Sequence, residues 1–374
     1  MNTIEKARVL GEAGKYDVCG GKICKPPEFT DGLQNLPGII KAKGENGRSC
    51  SMLKTLYTNS CKYDCKYCAN RAGGSGNGCQ KKITQYQPEE LAHLFMTLVS
   101  KRIVTGLFLS SGIAGDPDRT TQGMLDSVRI IRERCHFNGY IHFKVLPGTS
   151  YELVKQTSEL ASRMSINVEA PSKARLSELS SVKEMNTDII KRQRWISRMK
   201  LRSGQTTQMI VGANDETDLE VLKMARWEYE NMSLRRVYYS AFSPVKNTPL
   251  ENNKAEAQSR ANRLYNTDWL LRIYKYDFKL IKQVLVDGML PDKDPKIIIA
   301  EKTITEPVNV NEATYDELIR VPGIGPITAQ NIIQMRSEKK IDTQNLAQCG
   351  VIMKRAAPFI KVSRENQTRL SVFA

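Results

Sequence analysis

Three closely spaced cysteines carry the chemistry that this sequence is expected to perform. Cys61, Cys65 and Cys68 follow directly after a strand-like run, SMLKTLYTN. Thiolates are the usual ligands of iron–sulfur clusters, and a cubane cluster commonly takes four of them. Three cysteines in one short loop therefore predict a cluster in which one iron lacks a protein ligand. That iron is open to an exchangeable partner, and we expect it to be a reaction site.

A structural zinc site is the alternative explanation for these cysteines. Zinc is bound by four ligands, which usually come in two pairs. The chain has only three histidines, His93, His136 and His142, and none lies near the three cysteines in the sequence. A closed zinc site is therefore the weaker interpretation.

Composition and charge indicate a folded protein with an anionic partner. The 374 residues are enough for one large domain and a small one. Lysine and arginine number 56 against 40 aspartates and glutamates, so the net charge is +16. This excess predicts a polyanion, with nucleic acid as the leading candidate and a generally basic surface as the alternative. In the basic run from Lys191 to Arg202, Trp195 either stacks on a base or packs within a solvated helix.

The amino terminus and the cysteine usage predict a cytoplasmic protein. The first residues, MNTIEKARVL, lack the continuous apolar core of a signal peptide, and no stretch approaches the roughly 18 apolar residues of a membrane span. Nine cysteines, an odd number, argue against a disulfide framework.

An α/β fold is predicted because short apolar runs alternate with amphipathic stretches from residue 51 to 245. Six strand–helix units predict a partial (β/α)6 TIM-like barrel, with chemistry at the carboxyl ends of the strands. The predicted strands lie near residues 51–58, 103–109, 140–146, 163–169, 205–211 and 235–242. The predicted domains are an N-terminal extension (1–50), the barrel with its closing helices (51–286), a proline-marked linker (287–307) and a small all-α domain (308–374).

Polar residues alternate with apolar ones on three predicted strands, which indicates a polar barrel interior. Strands covered on both faces usually read as continuous apolar runs, and a buried charge is costly unless it is paired. Lys144 and Glu169 are the charged side chains expected inside, and a purely structural ion pair between them is the alternative. The other polar residues on these faces are His142, Ser165, Asn167, Thr206 and Gln208.

The cysteine triplet, the aromatic Tyr67 before its last member and its place after the first strand resemble the radical S-adenosylmethionine (SAM) superfamily. The resemblance implies a 4Fe-4S cluster on Cys61, Cys65 and Cys68, with SAM chelating the open iron through its amino and carboxylate groups. It implies that the reduced cluster passes one electron to the sulfonium and generates a 5'-deoxyadenosyl radical, which abstracts a hydrogen atom from the substrate. An external electron donor is then required.

By the same resemblance, residues at the strand ends are expected to bind SAM. Ser110, Ser111 and Gly112 occupy the place of a Gly-Gly-Glu-type element that touches the methionine amino group, here without a glutamate. Glu169 matches a ribose-hydroxyl ligand, and Gly212 matches a glycine that lets the chain approach the adenine. The full set of expected cofactor-binding residues is Tyr67, Ser110, Ser111, Gly112, Lys144, Asn167, Glu169 and Gly212.

The other six cysteines give a second, weaker expectation. Four of them would be able to hold an auxiliary iron–sulfur cluster, but no tight paired spacing marks them, and unligated cysteines are more common. The remaining two are expected to be small apolar fillers of the core. The four are Cys19, Cys24, Cys50 and Cys79, and the two are Cys135 and Cys349.

The stretch VNVNEATYDELIRVPGIGPITAQNIIQMR is a strong match to a helix-hairpin-helix element and defines the domain at 308–374. Asn311 is predicted to cap the first helix, and Pro326 to begin the second. The hairpin glycines and the second helix start predict a backbone cradle for phosphate, without base readout. A protein-binding or structural hairpin is the alternative. The expected nucleic-acid-binding residues are Gly323, Ile324, Gly325 and Thr328.

Over nearly its whole length, including GLFLSSGI, TTQMIVGA, RRVYYSAFSPV and VPGIGP, the chain resembles a family described as DNA modification or repair radical SAM proteins. That family is associated with a uracil-DNA-glycosylase-like partner. The implied function is a radical enzyme acting on a base or sugar of DNA, with Tyr238 or Tyr239 as a hydrogen donor or as packing. The alternatives are an RNA-modifying radical SAM enzyme, and a non-catalytic cluster protein that recruits the glycosylase-like partner.

Overall fold

A seven-stranded sheet is the centre of the first of two structural units. The computed structural model describes residues 1–14, 32–43, 49–73 and 82–362, and the chain divides into the units Met1–Ala261 and Asn262–Ala374. The strands stand in the sheet in their order along the chain. The first pair is antiparallel and all later pairs are parallel. The strands are β1 (Ile39–Lys43), β2 (Ser49–Leu56), β3 (Gly106–Ser110), β4 (Tyr140–Lys144), β5 (Arg163–Ser165), β6 (Gln205–Val211) and β7 (Leu234–Ala241).

Helices alternate with the parallel strands, as the sequence predicts for strand–helix units. Their starts carry strong signals: Asp116 accepts backbone N–H groups at the start of α3, and Thr217 forms a capping box with Glu220 at the start of α7. No helix in the described ranges is long and apolar enough to cross a membrane. The helices are α1 (Thr3–Ala13), α2 (Pro88–Ser100), α3 (Pro117–Arg129), α4 (Tyr151–Leu160), α5 (Lys173–Leu179), α6 (Lys191–Ser197), α7 (Asp218–Asn231) and α8 (Gln258–Arg272), with π-helical turns at Ile130–Arg134 and Met185–Ile190.

The α/β fold with a partial barrel is confirmed, and the six predicted strands correspond to β2–β7. The prediction missed β1, which lies in the stretch assigned to the N-terminal extension. It also made β5 too long. After Ser165 the chain leaves the ladder, and Glu169 takes a left-handed conformation with φ +64° and keeps only an isolated bridge to Met209 on β6.

The apolar residues between the polar ones form the core of the sheet. Seven of them, on β4, β6 and the β5 segment, are at most 1% exposed. Full burial of side chains of this size stabilises the fold by roughly 1.5–3 kcal/mol each. Because both faces of β6 are buried, the period-two alternation identified the apolar face, which packs away from the polar lumen. The seven residues are Ile141, Phe143, Val145, Ile166, Val168, Met209 and Val211.

The second unit is helical, with one short parallel strand pair. Its core includes Leu318, Ile324 and Ile332, none more than 1% exposed. One helix, Pro295–Thr303, lies in the stretch predicted as a linker, and the domain boundaries stay a prediction. The elements are α9 (Phe278–Val284), α10 (Pro295–Thr303), β8 (Val308–Asn309), α11 (Tyr315–Arg320), α12 (Pro326–Glu338), α13 (Thr343–Gln348), α14 (Met353–Ala356) and β9 (Ile360–Lys361).

Candidate active site and nucleic-acid interface

A cavity of about 380 Å³ lies at the carboxyl ends of the parallel strands, where the barrel prediction places the chemistry. Its wall brings together residues that are far apart in the sequence. All three cysteines contribute to it, together with the predicted SAM-binding residues of β3, β4 and the β5 segment. Among the lining residues are Cys61, Cys65, Tyr67, Cys68, Ser110, Ser111, Gly112, Lys144, Asn167, Glu169, Lys183, Gln208 and Ser240.

The cysteine loop directs backbone N–H groups at two of the sulfurs. The amide of Tyr63 donates to Cys61 Sγ at 3.4 Å, and the amide of Asn70 donates to Cys68 Sγ at 3.3 Å. Such bonds favour a charged sulfur over a protonated one. Burial and, to a smaller extent, the nearby Cys65 sulfur raise the pKa of the Cys68 thiol to about 12. The donor set therefore suits a bound cation or cluster that keeps the thiolate deprotonated.

Asp64, between the first two cysteines, ties the loop to the segment after α5. Its carboxylate accepts from the hydroxyls of Ser180 and Ser181 at 2.6 and 2.5 Å, and from the Ser181 amide at 3.0 Å. Partial burial opposes the charge of Asp64, but these hydrogen bonds outweigh it and lower its pKa to about 2. The backbone adds a bond from the Lys66 amide to the Leu179 carbonyl at 2.8 Å. Sequence reasoning missed this anchor.

A buried ion pair forms the other wall of the cavity. Lys183 Nζ lies 3.2 Å from Glu169 Oε1 and donates to the Tyr67 hydroxyl at 3.3 Å, and both charged side chains are under 10% exposed. Burial alone would lower the pKa of Lys183, but the Cys65 sulfur and the Glu169 carboxylate outweigh it and raise the pKa above its usual range. The second carboxylate oxygen, Oε2, is buried without a hydrogen-bond partner among the described residues. Lys183 was not predicted.

The Ser110–Gly112 segment lines the cavity, but part of its hydrogen-bonding capacity is already used. Ser111 Oγ accepts from the Thr58 amide at 3.3 Å, and the Gly112 amide donates to the Thr58 carbonyl at 2.8 Å. A β-carbon on Gly112 would lie 2.3 Å from the Ser60 carbonyl oxygen. Only glycine allows this segment to lie so close to the start of the cysteine loop.

The other predicted lumen residues divide into two groups. Lys144, Asn167 and Gln208 line the cavity. His142, Ser165 and Thr206 are buried outside the lining, where His142 Nε2 and Ser165 Oγ lie within hydrogen-bonding distance at 2.8 Å. The lumen is therefore polar, and Glu169 forms the ion pair described above with Lys183.

Gly212 and the two tyrosines lie outside the cavity lining. Gly212 has φ +82°, a β-carbon there would lie 2.4 Å from a Glu256 carboxylate oxygen, and its amide donates to Glu216 Oε1 at 2.6 Å. The positive φ and the close approach of Glu256 account for a glycine at position 212 without a bound ligand. Tyr239 is 1% exposed in the core, whereas Tyr238 shares the face of β7 that carries Ser240.

The remaining cysteines give little support for a second cluster. In the described ranges, no three His, Cys, Asp or Glu side chains are close enough to share one metal ion, and this also holds for Cys61, Cys65 and Cys68, each of which would bind a different iron of a cluster. Cys50 Sγ lies 3.3 Å from Thr105 Oγ1, and Cys19, Cys24 and Cys79 lie outside the described residues. Of the two predicted core fillers, Cys349 is buried, whereas Cys135 is exposed after the first π-helical turn, so that prediction was wrong for Cys135.

In the second unit, α11 and α12 enclose the predicted phosphate-binding hairpin. Gly323 has φ +86°, and a β-carbon on it would lie 2.6 Å from the Ile352 carbonyl oxygen. Helix α12 begins at Pro326, as predicted, with Gly325 at its N-cap. Thr328 is partly exposed in the first turn, where backbone N–H groups have no intrahelical acceptor. Ile324 is 1% exposed, and its amide donates to the Val321 carbonyl at 3.1 Å within the hairpin.

The predicted cap of the first helix was wrong. Helix α11 begins at Tyr315, and Thr314 forms a capping box with Glu317. Asn311 lies three residues earlier, where its side chain bonds both the amide and the carbonyl of Ile341. It therefore joins two segments of the unit.

Lys296 on α10 supports the hairpin from within. Its Nζ donates to the Ile324 carbonyl at 2.6 Å and lies 4.4 Å from the ring centroid of Tyr274. Burial lowers the pKa of Lys296 to about 7, although Asp294 partly opposes that shift. The hairpin conformation thus depends on a lysine that the sequence places in a predicted linker.

Comparison with known proteins adds two family matches. Residues 55–227 match the family model described as Radical SAM superfamily, and residues 304–345 match the one described as helix-hairpin-helix motif. No curated protein matches the chain.

Solved structures give remote similarities. The FeFe-hydrogenase maturase HydG from Carboxydothermus hydrogenoformans has a TM-score of 0.44 at 13% identity, over 58% of this chain and 50% of that one. Methylornithine synthase (PylB) has 0.46 at 14%, over 58% and 60%. Streptococcus suis SuiB bound to precursor peptide SuiA has 0.45 at 11%, over 73% and 58%. This chain thus spans between a half and three fifths of their lengths.

The radical SAM match contains the cysteine loop, Glu169 and Lys183, and so covers most of the cavity wall. Residues 55–227 of the chain therefore match a radical SAM domain, and a match to a helix-hairpin-helix motif follows at residues 304–345.

Proposed function

We propose that this protein is an iron–sulfur enzyme that reductively cleaves SAM and modifies or repairs DNA. The observation that carries the proposal is the convergence of three cysteines and a buried carboxylate on one cavity at the strand ends. The radical SAM domain implies a 4Fe-4S cluster and SAM as the cofactors. When bound, they supply a 5'-deoxyadenosyl radical that abstracts a hydrogen atom from the substrate.

The chain's own residues hold and orient these groups. Cys61, Cys65 and Cys68 would hold the cluster. Glu169 Oε2 has no partner among the described residues and is suited to accept hydrogen bonds from ribose hydroxyls. Lys183 fixes the other carboxylate oxygen, so the unpartnered one keeps its position.

DNA is the proposed substrate class for two reasons. The net charge of +16 favours a polyanion, and the hairpin in the second unit provides backbone N–H groups suited to phosphate. By the family resemblance we also propose a uracil-DNA-glycosylase-like partner and an external electron donor.

The test is anaerobic reconstitution, followed by chromatography for 5'-deoxyadenosine with reductant, SAM and one nucleic acid at a time. We expect duplex or single-stranded DNA to stimulate product formation. Cys65→Ala should abolish both the cluster absorbance and the product, because one iron loses its ligand. Cys135→Ala is the matched control, since Cys135 is an exposed cysteine outside the cavity.

Each outcome leads to a different conclusion. Stimulation by structured RNA alone would replace DNA modification with RNA modification. An intact cluster that never cleaves SAM, combined with binding of a glycosylase-like protein, would favour the non-catalytic recruiting protein. A cluster that survives Cys65→Ala would contradict the ligand assignment.

A further inference from the structure

The amino-terminal end of the sheet, opposite the cavity, carries a large excess of basic over acidic residues. Five stretches lead from a helix into the next parallel strand, and each includes the first residues of that strand. Together they hold ten basic residues and one acidic residue, Glu133. We call these stretches the basic rim: residues 101–107, 132–141, 161–164, 198–206 and 232–236.

The opposite rim, at the cavity, carries no such excess. Its described stretches contain eight basic and eight acidic residues. The high net charge of the chain is therefore not directed at the cavity mouth. The stretches counted are 55–73, 82–87, 109–116, 143–150, 164–172, 180–184, 210–217 and 240–257.

Three neighbouring stretches of the basic rim, 132–141, 161–164 and 198–206, are hydrogen-bonded to one another. The Ser203 amide donates to the Ser162 carbonyl at 2.8 Å, and the Ser162 amide donates to the Ile141 carbonyl at 2.8 Å. Arg132 donates to the carbonyls of Leu160 and Gly139 at 2.9 and 2.8 Å. Since neighbouring strands lie about 4.8 Å apart, the starts of β3 to β7 form a row of roughly 19 Å.

Seven of the ten basic residues are exposed and form no ion pair within the described part of the chain. Three of them share one short loop between α6 and β6, and none has been assigned a role above. Arginines predominate, and the guanidinium fork matches phosphate oxygens well. The seven are Lys101, Arg102, Arg134, Arg198, Lys200, Arg202 and Arg235.

The chemistry of the rim favours a nucleic-acid backbone over an anionic membrane. Proteins that bind membrane surfaces insert exposed apolar or aromatic side chains beside their basic residues. None of the large exposed hydrophobic side chains in the described residues lies in the basic rim. A surface of clustered arginines without apolar anchors is the pattern expected for phosphate contacts.

We propose that the basic rim is a nucleic-acid-binding surface that shares no residue with the cavity lining or with the hairpin. Its distance from the cavity follows from strand length. The seven residues of β6 rise about 3.3 Å each, so the rim lies roughly 20 Å from the cavity. Nucleic acid on the rim therefore anchors the protein to the polymer and does not itself deliver a nucleotide to the cavity. This inference deepens the proposed function by locating its polyanion contact.

The test is a charge-neutralising triple variant, Arg198→Gln, Lys200→Gln and Arg202→Gln, in the full-length chain. Binding of a short labelled DNA or RNA duplex is measured by fluorescence anisotropy over a range of salt concentrations. Losing three phosphate contacts should lower the slope of log K against log salt by about 2.7 and weaken binding roughly tenfold or more. The matched control removes three exposed lysines from elsewhere in the first unit, as Lys223→Gln, Lys246→Gln and Lys254→Gln, and should change the slope little.

The remaining outcomes decide between surfaces and partners. If the rim triple and the control weaken binding equally, net charge alone is responsible and the proposal fails. If the rim triple loses binding to phosphatidylserine vesicles but keeps duplex binding, the surface belongs to a membrane and the proposal fails. A double variant, Lys101→Gln with Arg235→Gln, changes two other loops and should lower the slope by about 1.8. A matching loss in this variant shows that the effect of the triple variant does not come from misfolding of a single loop. SAM cleavage without nucleic acid should be unchanged in every rim variant, so failure of the radical chemistry does not affect this test.

Discussion

Glu228, on α7, should make the first unit less stable as the pH rises. The side chain is fully buried, and neither carboxylate oxygen has a hydrogen-bond partner in the described part of the chain. Burial raises the pKa of Glu228 to about 8, and the neighbouring Gln193 amide offsets this only in part. The folded protein therefore holds the proton at pH values where the unfolded chain has released it, so the free energy of unfolding falls as the pH rises from about 4.5 towards 8.

The magnitude follows from the difference between the two pKa values. At pH 7 the unfolded carboxyl is fully ionised, about 2.5 pH units above its ordinary pKa, and the folded one is still mostly protonated. Each pKa unit corresponds to about 1.4 kcal/mol, so the native state is penalised by about 3 kcal/mol at pH 7. Glu228→Gln keeps the volume and removes the titration, and we expect it to stabilise the protein by a comparable amount at pH 7.

The assay is urea unfolding by far-UV circular dichroism at several pH values between 4.5 and 9. The gain from Glu228→Gln should be near zero at the acid end and grow steadily to about pH 8. Glu159→Gln, at an exposed position on α4, is the control and should stay within about 0.5 kcal/mol throughout. A gain that does not depend on pH, or a loss at pH 8, would refute the reasoning.

Three further predictions concern the cavity. Lys183→Met leaves the buried carboxylate of Glu169 unpaired and should lower the free energy of unfolding in urea by about 3–5 kcal/mol. Adding Glu169→Gln should restore much of that loss. Gly112→Ala places a β-carbon 2.3 Å from the Ser60 carbonyl oxygen and should lower the free energy of unfolding by about 1–3 kcal/mol. It should also lower the amount of iron bound per chain after reconstitution, and full iron loading would contradict this. Asp64→Asn weakens the charge-assisted hydrogen bonds to the segment after α5 and should lower the free energy of unfolding by about 1.5–3 kcal/mol. Loss of bound iron is the second readout.

The sequence predicted those parts of the fold that local patterns determine. Alternating polarity placed β4 and β6 correctly and separated their apolar face from their polar lumen face, because each side chain's direction follows from the pleat. The strand β1 was missed because IIKAK is short and pairs at the antiparallel edge of the sheet. The helix cap at Thr314 was predictable from the sequence, since Thr314 and Glu317 have the spacing of a capping box.

The missed site residues depend on tertiary contacts. Lys183 lies fourteen residues beyond Glu169 in an irregular segment, and no local pattern indicates that the two side chains meet. Asp64 lies between Cys61 and Cys65 and looks like an ordinary polar loop residue in the sequence. Its hydrogen-bond partners follow more than a hundred positions later. Long-range pairs of this kind have no periodicity in the sequence.

The segment after α5 holds two parts of the cavity at once. Ser180 and Ser181 bind Asp64 in the cysteine loop, and Lys183, two residues further on, binds Glu169. We therefore expect the cysteine loop and the carboxylate wall to become ordered together when the chain folds. Iron content should then report on the folding of this whole region, and a chain damaged anywhere within it would be purified without metal before any loss of turnover could be measured.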